Sequence, residues 1–279
     1  MSKRGLAIHG GNAVKHLALI LFSLLVLVPI LLMITTSLKS QGDSFTSVSV
    51  IPTSFHFENY VKIWSETKLG RMILNSLAVT VVSTALLVAL ATLAGFGFAR
   101  TRFGGKAALY LVFLLGLMLP GASLIVALYR IIAKVKLMNT YFALIGPYTA
   151  LGLPFAIMNI RNYFQTIPFE LDEAAVMDGA SPFWVYYRVC LPLAKPAVAT
   201  VVIFQAMFAW NEMLFALLFM TRDYMRTAPL AWLTYQMRYG LQMEKAFAVL
   251  ATISVPVLIL YLVLQRQFIK GLTAGAIKA

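Results

Sequence analysis

Residues 72–99 read MILNSLAVTVVSTALLVALATLAGFGFA, with Arg71 before them and Arg100 after. No charge interrupts the stretch. It is longer than the roughly 20 apolar residues that a helix rising about 1.5 Å per residue needs to cross a hydrocarbon layer of about 30 Å. Five more runs share this property: 17–36, 107–129, 138–160, 197–221, which holds the single charge Glu212, and 246–265. In lipid such a run must satisfy its own backbone hydrogen bonds, and none of the six alternates with the period of two that marks a barrel strand. The chain therefore reads as all-α, a polytopic transmembrane bundle of six spans making one domain over 1–279, with a long loop at 161–196.

Composition agrees. Of 279 residues, 61% are hydrophobic and 12% charged, against about 25% charged in an average soluble domain. The net charge of +13 is spread thinly between the runs and not gathered on one face, which argues against a nucleic-acid partner and for anionic lipid headgroups. One cysteine, Cys190, cannot build an intrachain disulfide framework. The three histidines, His9, His16 and His56, lie outside the spans and give a metal site little to build from. No cofactor, metal or catalytic residue is expected: there are no paired acids, no HExxH and no Ser/His arrangement in the spans. Gly105-Lys106-Ala107 lacks both the earlier glycine and the hydroxyl of a phosphate-binding loop.

Lys3, Arg4 and Lys15 precede the first run, as in a secretory signal. That run is too long for one, and no small-x-small cleavage site follows before Lys39, so it reads as an uncleaved span. An even number of spans puts both termini on one side. Counting bases does not say which side, since the 23 Lys and Arg divide twelve against eleven. The turn holding Arg100, Arg102 and Lys106 leans towards the cytoplasm. Two loops, 39–71 with Tyr60 and Trp64 and 222–245 with Trp232, Tyr235 and Tyr239, read as ordered interfacial segments. There is no internal repeat, so a pseudo-symmetric pathway needs a second subunit.

The segment 166–196, TIPFELDEAAVMDGASPFWVYYRVCLPLAKP, is too polar to span and too well punctuated for a slack connector. Thr166 offers an N-cap, and Glu170, Asp172 and Glu173 favour a helix start. Gly179 supplies a left-handed stop, Ser181-Pro182 opens a second helix, and Pro192 and Pro196 close it. Leu171, Ala174, Ala175 and Met177 with Glu173 form a small apolar knob bearing one anion. By pattern it suits either docking into a partner's groove or lying as an amphipathic hairpin in the headgroups.

The run Glu173-Ala174-Ala175, then Asp178-Gly179-Ala180, then Leu191-Pro192-Leu193 resembles the EAA loop of permease subunits in binding-protein-dependent ABC importers. Asn75-Ser76-Leu77, Trp210-Asn211-Glu212 and the tail from Gln265 to Lys278 extend the resemblance over essentially the whole chain. The tail is similar to that of the carbohydrate importers, in particular the six-span partner of the maltose-type permease pair. The resemblance implies a type I importer in which this chain is one permease in the cell membrane, with both termini in the cytoplasm. Its partners would be a second, paralogous permease, two copies of an ATPase that binds Mg-ATP, and an extracytoplasmic solute-binding protein. It further implies ATPase coupling through Glu173, Ala174, Ala175, Asp178 and Gly179, and a carbohydrate substrate.

Within the spans, Glu212 is the sole acid. With Asn211 it lines the translocation path, bonds across the permease interface, or clamps two helices of its own chain. Ala91, Gly95 and Ala99 at four-residue spacing suit close helix packing. Pro29, Pro120, Pro147, Pro154 and Pro256 interrupt runs and allow local bends. Competing functions are an importer permease for a non-sugar solute, a secondary transporter acting alone, and an intramembrane enzyme. A lone intramembrane acid gives the secondary transporter little for ion coupling, and the punctuated loop would go unexplained.

Overall fold

The computed structural model describes the backbone of residues 3–46 and 52–276, and side chains over 15–44, 52–263 and at 265. Its helices are α1 (Lys3–Ser37), α2 (Gln41–Thr46), α3 (Glu58–Glu66), α4 (Leu69–Arg100), α5 (Lys106–Gly116), α6 (Ile125–Lys134), α7 (Phe142–Phe164) and α8 (Glu170–Met177). They continue as α9 (Pro182–Leu193), α10 (Lys195–Asn211), α11 (Leu214–Phe219), α12 (Ala231–Tyr239) and α13 (Met243–Ala276). No strand occurs among the described residues. Of the tail motif only Gln265 has a described side chain, and Ile277 and Lys278 lie outside the described residues.

Four of the six expected spans are continuous apolar helices, α1, α4, α7 and α13; Pro29, Pro147, Pro154 and Pro256 lie inside them without ending them. The other two are broken. The run 107–129 divides into α5 and α6, with a bend of 94° across Gly116–Gly121. Pro120 has no N–H to give, and its ring would strike the carbonyl of Gly116, so the helix ends there and restarts through a 3-10 turn at Gly121–Leu124. The run 197–221 divides into α10 and α11 at Glu212.

The chain forms two compact units. One contains residues 1–67 and 232–254. Within it Asn59 donates to the carbonyls of Ser37 and Lys39 at 2.9 and 3.0 Å, fixing α3 against the end of α1. Tyr60 and Ser37 share a hydroxyl hydrogen bond of 2.7 Å. Glu66 gathers the second interfacial segment: Tyr235 donates to its carboxylate at 3.0 Å, Lys245 pairs with it at 3.5 Å, and Tyr239 donates to its carbonyl at 2.9 Å. Burial, with the adjacent Glu66 carboxylate, pushes the Tyr235 hydroxyl above its ordinary range. Two loops distant in sequence are thus joined through aromatic hydroxyls, which belong where a ring meets both hydrocarbon and water. Residues 17–31 of α1 are bare on all sides within this unit, as befits a helix surrounded by hydrocarbon.

The second unit contains residues 68–231 and 255–279, and its centre is the pairing of α4 with α7 and α10. The small-residue stripe does what its spacing predicts. Ala91, Gly95 and Ala99 are buried in α4, and a Cβ on Gly95 would lie 2.7 Å from Ile160 Cγ2 and 3.1 Å from the Arg161 amide nitrogen, so only glycine lets α7 approach so closely. The core cluster beside it holds Phe98, Ile157, Ile160, Phe164, Val185 and Cys190.

Asn75-Ser76 also acquires a physical role. Asn75, 2% exposed, donates to the carbonyls of Tyr224 and Arg226 at 3.0 and 2.9 Å and accepts from the Tyr141 hydroxyl at 2.8 Å. Ser76 accepts from the Ala228 amide at 2.8 Å. Two consecutive polar side chains thereby hold the irregular segment 223–228 to the head of α4. Asn75→Ala should lower the detergent-solubilised protein's stability by about 1–3 kcal/mol, because two partly buried carbonyls and a hydroxyl lose their partner. A thermal unfolding scan checks this, and an unchanged midpoint would show the segment to be held otherwise.

Candidate functional site

The loop 161–196 builds two helices about a glycine, as its punctuation predicts. α8 ends in a Schellman pairing: the Ala180 amide donates to the Ala175 carbonyl and the Gly179 amide to the Val176 carbonyl, both at 2.9 Å, with Gly179 at φ +83°. Ser181 caps the next helix, accepting from the Trp184 amide at 3.3 Å, and Pro182 takes the first turn. One expected cap is not used as such. Thr166 donates back to the carbonyl of Tyr163 at 2.8 Å, finishing α7, and α8 begins four residues later with no side-chain cap.

The second helix departs from the α pattern. Over Val185–Cys190 it widens to a π-helix. Pro192 cannot donate to Arg188, and its ring would clash with that carbonyl in an α-helix, so widening relieves the misfit. The chain then turns by 76° into α10.

The EAA residues divide between two faces. Glu173, Ala174, Asp178 and Gly179 are exposed, together with Leu171, Val176 and Met177, the last 86% exposed. Ala175 points the other way, 8% exposed, into the core cluster that holds Cys190 and Val185. The loop thus has an outer face that is apolar with anions beside it, and an inner face locked to the bundle.

That inner face pairs residues that the sequence places apart and without a joint role. Arg100, at the last turn of α4, places Nε 3.0 Å from Asp172 Oδ2 and donates from Nη2 to the Ile167 carbonyl at 2.8 Å. The Phe169 ring centre lies 4.1 Å from its Cζ. The hydroxyls of Tyr186 and Thr92 share a hydrogen bond of 2.9 Å, tying α9 to α4 as well. The sequence signal was faint: an arginine closing a span and an acid beside the EAA run, 72 positions apart.

Cys190 is fully buried, its Sγ donating to Asp172 Oδ1 at 3.5 Å. Burial foremost and the Asp172 carboxylate next push the thiol up to about 11, with Arg100 opposing. Almost no thiolate exists at neutral pH. N-ethylmaleimide should therefore label this sole thiol far more slowly in the native protein than after SDS. Equal rates would mean that the inner face is open.

Glu212 stands at the break between α10 and α11, in extended geometry at φ −68°, ψ 120°. Its Oε1 accepts from the Phe215 amide at 2.8 Å, and its Oε2 accepts from the Ala216 amide at 3.2 Å and from the Tyr148 hydroxyl at 2.6 Å. One carboxylate thus satisfies the open end of α11 and ties it to α7, the arrangement of a helix clamp within the chain. Asn211 is exposed and donates to the Met207 carbonyl one turn back at 2.8 Å, so the two neighbours do not act as a pair. Beside Glu212 opens a cavity of about 480 Å³ lined by Phe155, Phe204, Gln205 and Phe208 among others. A larger groove, about 1040 Å³, runs between α4, α9, α10 and α13, but its lining, Val88, Tyr187, Met207 and Leu260 among it, is nearly all apolar and offers little to orient a hydroxylated solute.

Residues 91–273 match the family described as the binding-protein-dependent transport system inner membrane component. A diacetylchitobiose uptake system permease protein of Streptomyces coelicolor is 32% identical over 268 residues, covering 95% of this chain and 89% of that protein. A trehalose transport system permease protein of Mycobacterium tuberculosis is 33% identical over 256 residues, covering 90% and 92%. In three dimensions the chain is similar to one in the crystal structure of a bacterial ABC transporter involved in the import of the acidic polysaccharide alginate. The TM-score is 0.79 at 21% identity, over 96% of this chain and 99% of that one, which shows a shared fold. The EAA spacing, the six apolar runs, the fold and the matched sequence agree, and the chain belongs to the inner membrane components of binding-protein-dependent transport systems, the permeases of type I ABC importers.

Proposed function

We propose that this chain is one permease of an ATP-driven sugar importer, acting as a single domain with both termini in the cytoplasm of a cell whose membrane it spans. A paralogous permease completes the pathway, two copies of an ATPase supply energy from Mg-ATP, and an extracytoplasmic binding protein delivers the sugar. The observation that carries this reading is the two-faced loop. Its outer face offers Met177, Val176 and Leu171 beside Glu173 and Asp178, a shape for a protein groove. A hairpin lying in the headgroups would instead present Lys and Arg to anionic lipid. Glu173 supplies the polar contact, Ala174 allows close approach, and Ala175 with Gly179 sets the angle of α8 against α9.

The cavity beside Glu212 forms this chain's wall of the pathway. Its four phenylalanine rings, Phe155, Phe204, Phe208 and Phe215, offer apolar faces to a sugar ring, and Glu212 shapes it from the break. Carbohydrate is favoured over other solutes by relatives that handle trehalose and diacetylchitobiose. The test is uptake in proteoliposomes holding the whole complex, the binding protein outside and ATP inside. Disaccharides should be taken up in competition with one another, with amino acids without effect. Amino-acid uptake that sugars do not compete would reassign the substrate class.

A further inference from the structure

Arg100 reaches three points of the segment that enters α8: the Ile167 carbonyl, the Phe169 ring and the Asp172 carboxylate. Its side chain is 3% exposed and that of Asp172 14%, so the pair is sheltered from water, where charge-assisted contacts are least screened. The guanidinium closes α4, where the free carbonyls of the last turn favour a cation. Eight residues earlier on the same helix, about 12 Å away along its axis, Thr92 holds Tyr186 of the π-helix. Both arms of the loop are therefore fastened to one span at two heights, while the outer face of α8 stays uncovered. A lever needs this combination of a free contact surface and a stiff attachment.

Resting on the importer reading above, we propose that Arg100–Asp172 is a latch that makes α8 move as one body with α4, so that force applied to the loop reaches the span and is not spent bending the connection. Arg100 and Asp172 are positioning residues: neither faces the docking surface. Without the latch, α8 still docks and ATP is still hydrolysed, but the span follows less.

The experiment uses the whole complex in proteoliposomes and compares the unaltered chain with Arg100→Gln, Asp172→Asn and Asp172→Glu. Solute transported per ATP should fall at least about tenfold in Arg100→Gln and Asp172→Asn, within the range of ordinary inter-site coupling. Hydrolysis stimulated by the binding protein should persist, and Asp172→Glu, which keeps the charge, should recover most of the ratio. Unchanged resistance of the 161–196 loop to limited proteolysis shows that each loop is folded. A purely structural role would lower transport and hydrolysis together, in proportion to assembled complex, and that result overturns the latch, as does an unchanged ratio. Should Arg100→Gln fail to assemble, the contrast between Asp172→Asn and Asp172→Glu decides alone, and equal ratios in the two overturn the proposal. If no ATP-binding subunit accompanies even the unaltered chain, the importer reading itself has failed, an outcome distinct from an unlatched but assembled complex.

Discussion

Gly179→Val should leave the chain inserted and assembled while abolishing ATP hydrolysis coupled to transport. The φ of +83° at this residue closes the Schellman pairing between α8 and α9. A Cβ there meets no atom within 4 Å, so the penalty is conformational and not steric contact with a neighbour. Left-handed backbone costs an L-residue roughly 1–2 kcal/mol, and a β-branched side chain is the worst choice. That is too little to unfold a transmembrane bundle and enough to swing α8 out of its angle. Insertion and yield are read by membrane fractionation, and coupling by hydrolysis with and without the binding protein. Normal stimulation in this variant would remove the angle between the two helices from the mechanism.

Glu212→Ala should cost the protein about 2–5 kcal/mol of stability. It strips an acceptor from the Tyr148 hydroxyl and from two amides at an opened helix end. Glu212→Gln keeps one carbonyl oxygen but turns an amide towards donors, and should lose less. Thermal unfolding in detergent orders the three proteins, unaltered, Gln, Ala. A stable Ala variant that fails only in transport would move Glu212 from clamp to pathway contact.

The spans were legible because lipid imposes a simple rule, and apolar length alone located six runs. What length could not show was continuity. Pro120 and Glu212 break two of the runs, and four other prolines do not break theirs, because a proline's effect depends on whether neighbouring helices re-satisfy the freed carbonyl. The turn at Gly179 and the cap at Ser181 were readable since both are local. Thr166 misled, because a hydroxyl three residues from a carbonyl can finish one helix as readily as start the next. Glu212 carried its own clue, standing three residues before the Phe215 amide that it caps, and the clamp was already one of its readings, but which helices it joins was not visible. The attachment of the loop to α4 was hidden because Arg100 and Asp172, like Thr92 and Tyr186, meet only through the fold. Sequence showed the punctuated outer surface of the loop and not the joint behind it.

Whether this loop joins the span bundle to an ATPase is decided by extracting the tagged chain from its membrane in mild detergent and identifying its companions by mass spectrometry, with Glu173 and Gly179 intact and altered. An ATP-binding subunit and a second permease should accompany the unaltered chain, and the ATP-binding subunit should be weakened or lost when Glu173 is altered. A chain that purifies alone and moves solute across vesicles without ATP would contradict that junction.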